Sequence, residues 1–465
     1  MKQAQTNKAL AGFALAFGLF LGLAILKFGN PVILDEKIIP PGSFSDLLTD
    51  FWPTHWAIWL GVPFGLVGWE LVRRNKITWP AGFLLWFLPL LWLGWQLISS
   101  TASVDFPLSA STLPQFAGCV GVYFLGAYLL GRPIFLRWLL AGILAAFTFC
   151  LVRGVEQRVY EFPANYESLE VGEKSQWTNL PSDMVLELKK ENIIVNTNGL
   201  DVANPAILAK FAKGRVYGTL VYPNALAGII LLLLPASLAI AFNDTKSLKP
   251  LIRGVVVALT AGLAGLAFIF TGSKLGWLLA LALGGLLLFR LNWSTRLKWL
   301  VLGLVLTIGL GIFVVRFHNY FAAGATSAGA RFDYWRAAVE TMNENPMLGT
   351  GPGTFQRPYA RLKAPDAEMA RLTHNDYLEQ FSDSGMVGGL AYLAWITLAL
   401  ATVGRRLWVK GDYLSVAIFA GVLAWFIQGL GEFSLYIPAL AWTAFTLLGC
   451  LIGLSANEFD KKAPN

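Results

Sequence analysis

Runs of about twenty apolar residues recur from one end of the chain to the other, and they restrict the fold more than any other feature. A run of that length spans a bilayer as a helix, and lipid leaves backbone polar groups no alternative to helices or a closed barrel. The runs read at 9–27, 54–72, 80–99, 114–131, 134–152, 218–242, 251–270, 274–291, 298–316, 385–403, 413–430 and 435–455. Composition agrees: 56% of residues are hydrophobic and 14% charged, where a soluble domain carries about a quarter charged residues. The expected fold class is an all-α polytopic membrane protein with about twelve transmembrane helices. The first run is longer than the core of a cleaved signal peptide, lacks a small-residue cleavage site and ends at Lys27, so it reads as a retained helix.

The basic residues orient the chain. With both termini in the cytoplasm, the inside segments hold Lys2 and Lys8; Arg73, Arg74 and Lys76; Arg132; Lys246, Lys249 and Arg253; Arg290, Arg296 and Lys298; Arg405, Arg406 and Lys410; and Lys461 with Lys462. The short outer connections "STASVDFPLSAST" and "GEFSLY" hold no Lys or Arg, as the positive-inside rule requires. The net charge of +8 is explained this way, and no loop is basic enough to track a nucleic-acid backbone. Cys119, Cys150 and Cys450 lie inside apolar runs, and neither they nor the three histidines show metal-ligand spacing.

Five regions follow: a five-helix membrane region at 1–152, an extracytoplasmic loop at 153–217, four central helices at 218–316, a larger extracytoplasmic loop at 317–384, and three helices with a short cytoplasmic tail at 385–465. Within the first loop, "ENIIVNTNG" predicts a short hairpin. In the second, "RFDYWRAAVETM" predicts a helix with Phe332, Trp335, Val339 and Met342 on one face, lying along the outer membrane surface.

Three segments that run inward from the outer side each open with a basic or titratable residue. They read "KGRVYGTLVYPNALAG", "TGSKLGWLLA" and "THNDYLEQFSDSG", and supply Arg215, Lys274 and His374. A helix N-terminus already carries partial positive charge, so cations there oppose helix stability. Cations together with free backbone N–H groups suit an anion, a phosphate above all. Bland readings stand beside this one. Arg215 and Lys274 also fit interfacial cations that snorkel. Thr373 with Asp376 matches a capping box, which makes His374 an exposed first-turn residue, and "TGS" supplies a helix stop and an N-cap. His55 and His318 read as interfacial bystanders, and "GTGPGTF" as a turn without the lysine and strand-to-helix setting of a phosphate loop.

"RFDYWRAAVETMNENPMLGTGPGTF" followed by "THNDYLEQFSDSGMVGG" resembles the large outer loop of the bacterial O-antigen ligase and Wzy-type polymerase family, with its Arg-x-x-x-Trp helix, Gly-x-Gly turn and His-Asn motif. "GRVYGTLVYPNALAG" and "TGSKLGW" extend the resemblance upstream over about the C-terminal 250 residues. The resemblance implies a GT-C-like architecture in the bacterial inner membrane. It also implies transfer of a glycan from an undecaprenyl-diphosphate carrier to a glycan, lipid or protein acceptor outside the cytoplasm, without metal or nucleotide cofactor. Carried over residue by residue, Arg215 and Lys274 would contact the donor diphosphate and His374 would be the catalytic histidine. Asn375, Arg331 and Arg336 are secondary candidates. The chain departs from the pattern in having Lys274 where arginine is usual, which keeps the charge but loses the planar fork, and Asp383 where glutamate is common.

The implied chemistry agrees with the residues. An acceptor hydroxyl attacks the anomeric carbon, the diphosphate leaves, and fixed cations stabilise the charge that develops on it. Beside two cations, His374 is expected to be neutral and able to accept the hydroxyl proton. A ligase-type enzyme is the preferred expectation, since protein-glycosylating members often carry a further C-terminal region and this chain reads as stopping soon after its last apolar run. A polymerase and a protein O-oligosaccharyltransferase are the alternatives within the family. From a different class, a transporter or flippase of lipid-linked sugars shares the twelve-helix layout, but would place charge near the bilayer midplane and show a repeat. A catalytically inert scaffold would leave the helix-start cations unexplained.

Overall fold

The structure, a computed structural model, describes residues 2–243, 245–322 and 326–460; Lys461 and Lys462 lie outside the described residues. Each of the twelve apolar runs falls on a helix. The helices are Lys2–Lys27, Thr54–Asn75, Phe83–Ser100, Phe106–Leu125, Pro133–Glu156, Pro223–Asn243, Pro250–Thr271, Lys274–Leu288, Thr295–Ala322, Asp376–Lys410, Tyr413–Gln428 and Pro438–Asp460. Among the described residues, nine helical stretches are long and apolar enough to cross a membrane, and Lys274–Leu288 and Tyr413–Gln428 are shorter apolar helices. This is an all-α polytopic membrane protein.

Side chains on several helices would be costly in water. The Pro250–Thr271 and Thr295–Ala322 helices expose Leu251, Leu259, Leu300 and Val315, and such a face is stable against lipid tails. At the other extreme, the Pro438–Asp460 helix is almost wholly enclosed over Pro438–Ala456. Its backbone touches that of the π-helical turn Gly126–Leu130, which prolongs Phe106–Leu125: a Cβ on Gly126 would lie 2.4 Å from the Thr446 carbonyl oxygen. Only glycine allows that approach, the usual device for close helix packing in a membrane.

Two expectations change in detail. The helix starting at Pro133 does not stop near 152; a π turn at Gln157–Glu161 carries it into Phe162–Lys174. Beyond it the expected hairpin is present, with Ile194–Thr197 antiparallel to Leu200–Ala203 and Thr197 paired with Leu200. Asn198 and Gly199 take positive φ at its turn, the conformation an Asn-Gly pair favours. In the second loop, the helix Thr326–Glu344 buries Tyr334, Ala337, Ala338 and Thr341. Phe332 and Val339 face outward, while Trp335 and Met342 are half-buried and Trp335 packs against this cluster, so the apolar face read from the sequence is covered in part. The helix Asp376–Lys410 breaks at Ser384 and Gly385; Gly385 has φ 63°, and its Cα lies against the Pro346–Met347 backbone, where a Cβ would collide.

Candidate active site

Arg215 follows a helix that ends at Gly214 in the left-handed conformation, which turns the chain back toward the membrane helices. Val216 N–H donates to the Phe270 carbonyl at 3.1 Å, and Arg215 Nε donates to the Thr271 carbonyl at 2.7 Å. The guanidinium therefore lies over the turn at Gly272, where a Cβ would come 3.3 Å from Arg215 Nε. That turn is the helix stop, with Gly272 at φ 59°, and Ser273 is the N-cap of the next helix, accepting from Gly276 N–H as the "TGS" reading anticipated. Arg215 and Lys274 thus share one turn.

Neither cation meets a carboxylate directly among the described residues. The second Arg215 contact runs from its terminal nitrogen to Asn224 Oδ1 at 3.0 Å. Lys274 Nζ sits 3.9 Å from the Tyr320 ring centroid and 5.4 Å from that of Phe317, a cation–π arrangement. Burial holds the Arg215 guanidinium below its ordinary value, with Glu432 opposing and Arg331 reinforcing the shift. A partly desolvated cation held by neutral oxygens leaves its charge available to an anion.

Asn224 connects this pair to the rest of the site. Its Nδ2 donates to Glu432 Oε1 at 2.7 Å, and Arg331 donates to the same oxygen at 2.7 Å. Glu432 is only 1% exposed, so this carboxylate is a buried hub between residues from three parts of the chain. His374 approaches its other oxygen: Nδ1 lies 3.7 Å from Glu432 Oε2. From the sequence, His374 is expected beside Arg215 and Lys274; the charged group facing its Nδ1 is a carboxylate.

His374 is held tightly for a residue in a loop. Its φ of +53° is left-handed, a conformation that costs a non-glycine residue roughly 1–2 kcal/mol. Neighbours on both sides enforce it. Thr373 N–H donates to Glu379 Oε2, and the Thr373 hydroxyl both donates to the Asn375 carbonyl and accepts from Asn375 N–H. Asp376 N–H donates to the carbonyls of Gly429 at 2.7 Å and Glu432 at 3.1 Å, while its carboxylate accepts from Leu435 N–H. The ring stacks on Tyr334 with centroids 6.0 Å apart and meets the edge of Phe433 at 4.7 Å. Burial raises the Tyr334 phenol, which keeps it neutral in this wall.

The capping assignment also changes. Asn375, not Thr373, caps the helix, its Oδ1 accepting from Tyr377 and Leu378 N–H. Asn375 thereby fixes the backbone beside His374. Arg336 stays outside the cluster, exposed and bonded to Glu340 and the Leu362 carbonyl. Asp383 is buried one helical stretch below the site and anchors the glycine turn, with Oδ2 accepting from Gly353 N–H at 2.6 Å and from the Tyr436 hydroxyl at 2.7 Å. Sequence reasoning missed Glu432 and Asn224. The available signals were an isolated acid in the outer connection "GEFSLY" and an asparagine in the "PNALAG" opening of a helix.

Comparison with known proteins adds a family. An uncharacterized protein of Haemophilus influenzae is similar to this chain, with 27% identity over 176 residues that cover 33% of this chain and 43% of that relative. The chain thus spans less than half the length of that relative. Residues 259–393 match the family model described as O-antigen ligase, a stretch that contains Lys274, Arg331, His374 and Asn375 but neither Arg215 nor Glu432. Over that segment, the chain is similar to the O-antigen ligase family.

Proposed function

We propose that this protein is an O-antigen ligase-like glycosyltransferase. It would move a glycan from an undecaprenyl-diphosphate-linked donor to an acceptor on the extracytoplasmic face of the bacterial inner membrane. One observation carries the reading: Arg215, Lys274, Arg331 and His374, scattered over 160 positions of sequence, are linked through Thr271, Asn224 and Glu432 into one cluster. The O-antigen ligase segment supports glycosyl transfer in general. The basic connections support a topology of twelve spans with both termini cytoplasmic, which puts this cluster outside.

In this reading the donor diphosphate lies against Arg215 and Lys274, whose charges no carboxylate contacts directly among the described residues, and over the free N–H groups at the start of the Lys274–Leu288 helix. The acceptor hydroxyl gives its proton to His374 as its oxygen bonds to the anomeric carbon. The bond from that carbon to the phosphate oxygen breaks, and its electron pair leaves on the lipid diphosphate. Negative charge grows there in the transition state, so fixed cations favour that state over the bound donor. Side-chain cations fill the role a metal plays in other transferases, so the proposed chemistry is metal-independent. A ligase acting on a lipid or polysaccharide acceptor is the preferred form.

The test is reconstitution of the purified protein with an undecaprenyl-diphosphate-linked glycan and candidate acceptors. The unaltered protein should form a new glycosidic bond, and His374→Gln should lower that rate by about a hundredfold or more while donor binding persists. Movement of donor between leaflets with no new bond would overturn the proposal in favour of a transporter.

A further inference from the structure

Two buried atoms face each other across the site, and neither has a hydrogen-bond partner among the described residues. Glu432 Oε2 and His374 Nδ1 are both enclosed, unbonded and 3.7 Å apart. From this geometry we propose that Glu432 is a positioning residue for His374. Its Oε2 accepts the Nδ1 proton, fixes the imidazole in one tautomer, and leaves the Nε2 lone pair for the acceptor hydroxyl. The inference rests on the reading of His374 as the base.

The carboxylate has little freedom to do otherwise. Its Oε1 already accepts from Arg331 and Asn224, both at 2.7 Å, which directs Oε2 toward the ring. Backbone bonds from Asp376 N–H to the Gly429 and Glu432 carbonyls, and a bond from Leu435 N–H to the Asp376 carboxylate, tie the two segments together at this level. Tyr334 and Phe433 limit rotation of the imidazole between them. An N–H···O bond needs about 2.7–3.2 Å, so the gap closes with a movement of less than about 1 Å. Bonds of this kind are commonly long before substrate binds and tighten in the complex.

Charged and titratable groups surround the pair. Arg331 bonds the carboxylate directly and Arg215 acts through Asn224, while Asp376 lies behind the loop and Tyr334 against the imidazole face. In the transfer step the acceptor proton passes to Nε2, and the imidazolium so formed is held by Oε2. Oriented this way, the imidazole presents the correct nitrogen on every turnover, the service a buried carboxylate gives a catalytic histidine in general.

Glu432→Gln separates positioning from support of the cations. Glutamine keeps the volume and can accept from Arg331 and Asn224, but it turns an amide N–H toward His374 Nδ1. That donor selects the opposite tautomer, with the proton on Nε2. Turnover at saturating donor and acceptor should fall about a hundredfold or more, with binding of undecaprenyl diphosphate no weaker than before. Nitrogen-15 spectra of histidine-labelled protein should show the protonated ring nitrogen of His374 exchange identity; the chain has three histidines, and His374→Gln assigns the signal. Glu432→Asp should recover part of the lost turnover. Turnover of Glu432→Gln within threefold of the unaltered protein overturns the inference. So does a loss traced wholly to weaker diphosphate binding with the tautomer unchanged. If His374→Gln itself still transfers glycan, the failure lies in the base assignment rather than in the role of Glu432.

Discussion

The pairing of Arg331 with Glu432 makes an asymmetric prediction about stability. Removing one partner of a buried ion pair costs about 3–5 kcal/mol when a charge is left uncompensated. Arg331→Met leaves the Glu432 carboxylate, 1% exposed, with Asn224 as its remaining hydrogen-bond donor, which lowers the expected cost to about 2–3 kcal/mol. Glu432→Gln leaves Arg331, whose side chain is 22% exposed and turns partly to water, so its cost stays near about 1 kcal/mol. The double substitution removes both charges and keeps the Asn224 contact, so it should lie within about 1 kcal/mol of Glu432→Gln alone. Thermal unfolding in detergent, followed by intrinsic tryptophan fluorescence, measures the cycle. Arg331→Met should melt about 2–6 °C lower, and adding Glu432→Gln should restore most of that loss. Additive shifts, or a melting point for Arg331→Met equal to that of the unaltered protein, would refute the buried-hub description.

Arg215→Ala and Lys274→Ala should each weaken binding of undecaprenyl diphosphate by about ten- to a hundredfold, the usual worth of a charge-assisted contact, as read by titration calorimetry. Unchanged affinity in both would remove the anion site. Arg336→Ala should leave donor affinity and transfer rate within twofold, since its partners Glu340 and Leu362 lie outside the cluster; a large loss would mean the loop rearranges around substrate. Gly353→Ala should destabilise the protein by about 2 kcal/mol or more, because Gly353 has φ 72° and a Cβ would fall 2.5 Å from Thr112 Oγ1. Unfolding at the original temperature would contradict that close approach.

What the sequence revealed and what it hid follow from the range of the interactions. An apolar run is a local property, so the helices were legible to within several residues; even the Gly272–Ser273 stop and cap could be read from three letters. The "ENIIVNTNG" hairpin was equally local, since Asn-Gly fixes its own turn. The end of the fifth helix was not, because a π turn at Gln157–Glu161 lets polar residues continue it to Lys174. Thr373 and Asp376 have the spacing of a capping box, yet Thr373 N–H is drawn to Glu379 and the cap passes to Asn375. Glu432 was passed over for the same reason. Its own connection marks it only as an isolated acid, and its importance arises when helix packing closes 374–376 against 429–435.

The site's composition also sets how the molecule can be divided. The stretch matching the O-antigen ligase family begins after Arg215 and Asn224 and ends before Glu432. A fragment cut to those limits, or a chimera that exchanges only the large loop, would keep His374 but leave behind the carboxylate facing it and the asparagine that links that carboxylate to Arg215. Exchange between relatives should therefore succeed only when the 429–437 connection and the start of the Pro223–Asn243 helix travel with the histidine loop.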